Sequence, residues 1–419
     1  MNIVHLSTSD LDGGAARAAY RLHQGLNRLG ATSQMLVRAK DSIDDQVISD
    51  ASWQTRLGPV MNGFPLKRYA NRDRALFSPQ WFPDAIAPRL NVLNPDIVHL
   101  HWICNGFVQI ETLPRLHKPM VWTLHDMWVF TGGCHYNKDC FQYKENCGYC
   151  PQLNSQREQD LSRRIWQRKA KAWKDLNLTL ITPSHWFADC VRSSSLFRNR
   201  RVEVIPHGLD LSQYQPVPKT SARDILKLPQ DKQLVLFGAS SGTMNDPRKG
   251  FQFLVPALKD LASTDWHGKL ELVIFGANQP STPLDLGFPV HYLGRFHDDI
   301  TLAIAYSAVD VMIVPSMQES FGQTASEALA CGTPVVAFNA TGVKDIVSHQ
   351  QDGYLAQPFE YQDLAQGIVW VLEDGDRGVS PSENRHHKLS HHAREKAIQE
   401  FSQDLQAKRH IALYEDILS

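Results

Sequence analysis

Long apolar runs are missing from this chain. No stretch approaches the roughly eighteen residues that a membrane span needs. The chain opens on MNIVHLSTSDLDGG, without a basic start or an extended apolar segment, so no secretory signal is expected. The expected compartment is the cytoplasm, where disulfides are disfavoured. Net charge is almost absent, with 43 Lys+Arg against 44 Asp+Glu. No short-period repeat is present. No G-x-G-x-x-G fingerprint follows a strand, which argues against a nicotinamide dinucleotide. No Asp-x-Asp follows a strand either, so nothing marks a catalytic divalent metal. Asp10-Leu11-Asp12 comes nearest, but it precedes a glycine turn.

The chain has 419 residues, too many for one ordinary core, so two domains are expected. Apolar residues make up 42% and charged residues 21%, the composition of a soluble globular protein. The charge is unevenly spread. Residues 1–205 carry 26 Lys+Arg and 18 Asp+Glu, whereas residues 206–419 carry 17 and 26. A basic half can meet phosphates, headgroups or nucleic acid, or it is simply a solvated surface. Two basic stretches stand out, KRYANRDR (67–74) and RRIWQRKAKAWK (163–174). The second has helical spacing. It either rests on a membrane surface or packs its tryptophans inward.

Short β-rich runs alternate with helical patterns. NIVHLS (2–7), SQMLVR (33–38), PDIVHLHW (95–102), PMVWTLH (119–125), LTLITPS (178–184) and RVEVIPHG (201–208) read as strands. A polar, proline-containing stretch at 211–233 then reads as a linker. After it the pattern restarts with LVLFGAS (234–240), KLELVIFGA (269–277), VHYLG (290–294), DVMIVPS (310–316) and TPVVAF (333–338). The segment 373–388 reads as an exposed loop and the tail after it as helical. Such alternation predicts α/β domains with doubly wound parallel sheets.

Ligands of open α/β sheets bind at the carboxyl ends of strands, so residues just after strands are the site candidates. Gly13 and Gly14 follow the first strand and open a helix, whose N-terminus suits an anion; a plain tight turn is the alternative. Arg248 and Lys249 precede a helix and would suit a diphosphate, or they are solvated charges of a surface turn. Glu319 and Glu327 have seven residues between them. A carboxylate in the loop could accept hydrogen bonds from sugar hydroxyls, and one in the helix could hold a ribose diol. The backbone near Gly322, Gln323 and Thr324 could hold a phosphate. Alternatively Glu319 is a helix cap and Glu327 a surface residue. His125 ends a strand.

Cys134, Cys140, Cys147 and Cys150 crowd one glycine-containing loop. Four thiols with a closing C-x2-C suit a structural zinc, and His135 is an extra candidate ligand. Two disulfides, free thiols or another metal are the alternatives.

In order along the chain, GGAARAA, TLHD, TPSHW, IPHGLD, RKG, ESFGQTASEALACGTPVVA and DGYL resemble glycosyltransferase family 4, retaining enzymes of the GT-B fold. The insertion GGCHY…C…CGYCPQL resembles the bacterial exopolysaccharide and lipopolysaccharide branch. The resemblance implies two Rossmann-like domains facing across a cleft. Residues 1–205 would form an acceptor domain with a cysteine-rich loop at 132–153, and 206–389 a nucleotide-sugar domain. Residues 390–419 would be a helix crossing back. It implies that Glu327 binds the donor ribose and Glu319 the donor sugar's hydroxyls. Arg248 and Lys249 would neutralise the diphosphate, helped by the backbone of Ser320, Phe321, Gly322, Gln323 and Thr324. Gly13 and Gly14 would approach the phosphate or the acceptor, and His125 the transferred sugar. His207 stands where asparagine is usual, and Gly342 is alone where two glycines are common.

The implied reaction needs no cofactor. The cations and helix N-terminus stabilise the leaving nucleoside diphosphate, and the sugar passes with retention to a glycan or lipid-linked acceptor. Peripheral contact with the inner membrane surface is expected, and nucleic acid is not. Two other readings remain. One is a non-catalytic or epimerase-like GT-B nucleotide-sugar-binding protein. The other is a zinc-containing nucleic-acid-binding protein, which would leave the two-glutamate segment unexplained.

Overall fold

The computed structural model describes residues 1–239, 246–280, 284–296, 298–373 and 384–419. It divides into two units: residues 1–208 with 403–419, and residues 209–402.

The first unit carries strands β1 (Asn2–Ser9), β2 (Thr32–Ala39), β3 (Val47–Ser49), β4 (Ile97–Leu100), β5 (Met120–Thr123), β6 (Leu178–Thr182) and β7 (Val202–Val204). They pair in the order 3-2-1-4-5-6-7, all parallel. Central strands such as β4 and β5 are buried throughout, as a sheet covered on both faces requires. The helix Gly14–Arg28 returns the chain from β1 to β2 and buries Ala16, Ala18, Ala19, Leu22 and Leu26. The last helix, Gln403–Leu418, packs on it at Gly25. A Cβ there would lie 3.0 Å from Gln403 Cγ and 3.2 Å from Ala407 Cβ.

The second unit carries β8 (Gln233–Gly238), β9 (Leu270–Phe275), β10 (Val290–Tyr292), β11 (Val311–Val314), β12 (Val335–Phe338) and β13 (Gly353–Ala356). Their order is 10-9-8-11-12-13, again parallel. Both sheets thus reverse direction in strand order beside their first strand, the doubly wound pattern.

Some expectations need correction. Part of the 211–233 stretch is no linker but the helix Lys219–Leu226. Its Arg223 is buried and pairs with Asp310 at 2.8 Å, and Asp310 also accepts from Leu234 N–H at 2.7 Å. That bond ties the helix to the start of β8. The tail is two helices. Arg385–Glu400 lies in the second unit and buries Leu389, Ala393 and Ala397, and only Gln403–Leu418 joins the first. Of the expected loop at 373–388, residues 374–383 lie outside the described residues, as does Ser240 at the end of the expected strand 234–240.

Candidate active site

In the second unit, strand order reverses between β8 and β11, so the loops after these strands border the crevice where such sheets bind ligands. Asp246 accepts from Arg248 N–H at 3.1 Å and pairs with its guanidinium. Gly250 has φ +73°, and a Cβ there would lie 1.7 Å from Pro315 O. Met317 N–H donates to Arg248 O at 2.6 Å. The two loops are thereby locked backbone to backbone. That lock brings Lys249 Nζ to 2.6 Å from Glu319 Oε1.

Glu319 is also held by the loop after β12. Its N–H donates to Thr341 Oγ1 at 3.2 Å, and its carbonyl accepts from Gly342 N–H at 2.9 Å. A Cβ on Gly342 would lie 2.4 Å from Ser320 O. The single glycine of this turn therefore sits where close approach demands one.

Gly322 (φ +110°) precedes the helix Gln323–Ala330. Ser320, Gln323 and Thr324 are partly exposed at the positive end of this helix. Phe321 is buried, edge-on to Phe401 with centroids 5.8 Å apart. Glu327 is buried and accepts from Tyr306 O–H at 3.0 Å, so it is not a surface residue. Burial and the nearby Glu327 carboxylate push the Tyr306 hydroxyl well up. The arrangement gathers two cations, a helix N-terminus and two carboxylates around one strand switch. It can bind a phosphorylated polyol: phosphates on the cations, hydroxyls on the carboxylates.

In the first unit the reversal lies between β1 and β4. Gly13 has φ 86° and ψ 167°, a region open essentially to glycine alone, and it turns the chain into the helix that starts at Gly14. Asp10 accepts from Asp41 N–H and Ser42 N–H, both at 2.9 Å. It braces that turn, while Asp12 is exposed.

His125 follows β5 and joins a column of imidazoles. His125 Nε2 lies 3.2 Å from His101 Nδ1, and its ring stacks on His207 at 5.1 Å. His101 Nε2 lies 2.9 Å from His5 Nδ1. His99, in register with His5, shares hydrogen bonds with Tyr414 O–H (2.6 Å) and Thr123 O–H (2.8 Å). Burial pushes His125 down to about 4. It pushes His5, His99, His101 and His207 well below their usual range. At neutral pH these rings are uncharged, so His125 offers a hydrogen bond to a hydroxyl rather than a charge.

The family model described as Glycosyltransferase Family 4 matches residues 12–213, and the one described as Glycosyl transferases group 1 matches residues 236–374. The chain belongs to glycosyltransferase family 4. This glycosyltransferase is 26% identical over 371 residues to WcaC of Escherichia coli K12, a protein named as a glycosyl transferase of colanic acid biosynthesis, covering 83% of this chain and 85% of the relative. It is 34% identical over 196 residues to the D-inositol 3-phosphate glycosyltransferase of Xylanimonas cellulosilytica, covering 42% of this chain but only 44% of that relative. Sucrose-phosphate synthase from Thermosynechococcus elongatus superposes with a TM-score of 0.70 at 21% identity, covering 100% of this chain and 99% of that one. HepE of Anabaena, solved with UDP and glucose, gives 0.63 at 17% identity and covers 99% of each chain. At such identities the solved structures speak for the fold alone, and that fold is GT-B.

The cysteine-rich insertion of this glycosyltransferase lies in the first unit. Cys134, Cys140, Cys147 and Cys150 are all free thiols. Burial pushes Cys147 up to about 12 and Cys150 up to about 11. Thiolates around one tetrahedral zinc stand about 3.8 Å apart. Among the described residues, two groups bring three ligand atoms within 4.8 Å: His5–His99–His101 and the exposed His391–His392–Glu395. No cysteine belongs to either, but the four thiols are neighbours: burial pushes the Cys134 thiol up, helped by Cys147, Cys150 and Cys140.

Hydrogen bonds also hold the loop. Cys150 N–H donates to Asp160 Oδ2 at 2.9 Å, and Gly148 N–H to Ser162 Oγ at 3.0 Å. Lys169 donates to the carbonyls of Trp128 and Thr131. His135 is engaged by Asp126 at 2.6 Å and Ser78 at 2.8 Å.

Sequence reasoning missed Asp246, Tyr306, Thr341 and His101. Asp246 was visible beside Arg248. Tyr306 lies 21 residues from Glu327, with no local pattern to link them.

Proposed function

We propose that this chain moves a sugar from a nucleotide-diphosphate-sugar donor to a hydroxyl of a glycan or lipid-linked oligosaccharide in cell-surface polysaccharide synthesis. The reading rests chiefly on the Lys249–Glu319 contact at the β8/β11 switch, with Glu327 held one helix turn away by Tyr306. WcaC, named for colanic acid biosynthesis, and HepE, solved with UDP and glucose, support the polysaccharide context and the donor class.

On this reading a bound donor separates the ion pair. Lys249 and Arg248 turn to the diphosphate, and Glu319 accepts from hydroxyls of the sugar. Glu327 holds the ribose diol, and His125 contacts the transferred sugar as a neutral partner. Gly13 and Gly14 admit a phosphate or the acceptor close to the backbone. As the glycosidic C–O bond to the diphosphate lengthens, negative charge grows on the leaving phosphate. The two cations and the helix N-terminus stabilise that charge. The leaving phosphate takes the acceptor hydroxyl's proton, so the new bond forms on the face the old one leaves. Retention follows without a protein nucleophile or a catalytic metal. The protein acts in the cytoplasm, with 1–205 as the acceptor side and 206–389 as the donor side.

The test is calorimetry with UDP-, GDP-, ADP- and dTDP-sugars on wild type and Glu327→Ala. One donor should bind, and the variant should lose it. If no donor binds a folded protein, the nucleotide-sugar reading fails.

A further inference from the structure

The helix Trp53–Asn62 of the first unit has its polarity reversed. It buries Thr55, Gly58 and Asn62. At Gly58 it meets Gly106 backbone to backbone, and an added Cβ would lie 2.1 Å from Gly106 O. The opposite face is apolar and exposed: Trp53 by 62%, Leu57 by 48%, Val60 by 76%, and Phe64 in the next turn by 56%. Steps of four, three and four residues set these side chains in one stripe. A helix that only covers a core buries its apolar face, and a contiguous exposed stripe marks a docking surface.

Cations surround the stripe. Residues 51–76 contain five Lys or Arg and a single carboxylate, Asp73. Arg56, Lys67, Arg68 and Arg74 are exposed, and Lys67 Nζ lies 5.3 Å from the centroid of the Phe64 ring. A second copy of this face would set cation against cation. An anionic lipid surface complements both the stripe and the charge. The other basic helix, Leu161–Ala172, cannot serve in this way, because its Ile165 and Lys169 are buried.

We infer that this face docks on an anionic membrane, with Trp53, Leu57, Val60 and Phe64 at the acyl boundary and Arg56, Lys67 and Arg68 among the headgroups. The inference deepens the proposed lipid-linked acceptor and rests on that reading.

The experiment is co-sedimentation of the full chain with phosphatidylcholine vesicles, with and without phosphatidylglycerol, at low and raised salt. Binding should require the anionic lipid and weaken with salt. Val60→Ser/Phe64→Ser and Lys67→Glu/Arg68→Glu should each weaken it roughly tenfold or more at unchanged thermal stability. Absence of binding by wild type, or full binding by both variants, overturns the inference. So does a concentration-dependent dimer that Val60→Ser/Phe64→Ser abolishes, which would make a second copy the occupant. Nucleotide-sugar calorimetry on the same proteins needs no lipid. Donor binding without vesicle binding sinks the docking surface alone, and vesicle binding without any donor sinks the transfer reading.

Discussion

Lys249 and Glu319 neutralise each other in this structure, and both are partly exposed. Such a pair adds little to stability, so its value lies in what replaces it. Lys249→Ala should leave the thermal transition nearly unmoved and lower kcat/KM by about 10²–10³, the scale of one electrostatic donor to a developing negative charge. Lys249→Arg should recover part of the loss. Steady-state transfer assays on the donor chosen by calorimetry check this, and a variant with unchanged kcat/KM would remove Lys249 from the reaction. Arg248, Lys249, Glu319 and Glu327 were legible because each sits in or near a loop that ends a recognisable strand. Tyr306 and Thr341 were not legible, because their partners come from other elements.

At the scale of elements, Lys169 shows how a helix and a loop are joined. Its side chain lies inside the first unit with Nζ 3.7 Å from the centroid of the Trp128 ring, and burial lowers it to about 7. It satisfies two carbonyls of the segment that leads into the cysteine loop. Lys169→Met keeps the volume and removes the donor. It should cost about 1–3 kcal/mol, the penalty for buried carbonyls left without a partner, and should speed proteolysis within residues 132–153. Chemical denaturation and limited digestion read the two effects, and an unchanged midpoint would show that the lysine holds nothing. The spacing 165, 166, 169, 170, 173 correctly announced a helix. It could not say that a lysine would lie inside, because composition counts a lysine as surface. The short strands β3 and β13 escaped notice because polar residues flank them, with Asp44, Asp45 and Gln46 before one and Gln350, Gln351 and Asp352 before the other.

At the scale of the molecule, the first unit is built to keep imidazoles neutral. An unfolded histidine titrates near 6.5, whereas His125 and His410 in the fold are lowered to about 4, in each case mainly by burial. Their folded values lie below the unfolded value. Stability is therefore full above pH 6.5 and is lost as pH falls towards 4, while the unfolded chain gathers protons. His5, His99, His101 and His207 act in the same direction. The melting temperature should fall steeply between pH 7 and pH 5. Thermal scans across that range test it, and a flat profile would contradict the buried neutral column.

The sequence by itself determined the alternation of strands and helices, the doubly wound class of both sheets and the motifs at their strand ends. These are local properties, written in periodicity and in the placement of glycine. Tertiary structure alone decided which side chains meet. Lys249 reaches Glu319 across 70 residues because β8 and β11 pair side by side, and His5 meets His101 across 96 because β1 pairs β4. It also decided that the four cysteines of the insertion would gather as neighbours, and that a helix would turn its apolar face outward. A parallel sheet joins residues that are far apart in the chain, and no local pattern carries their distance.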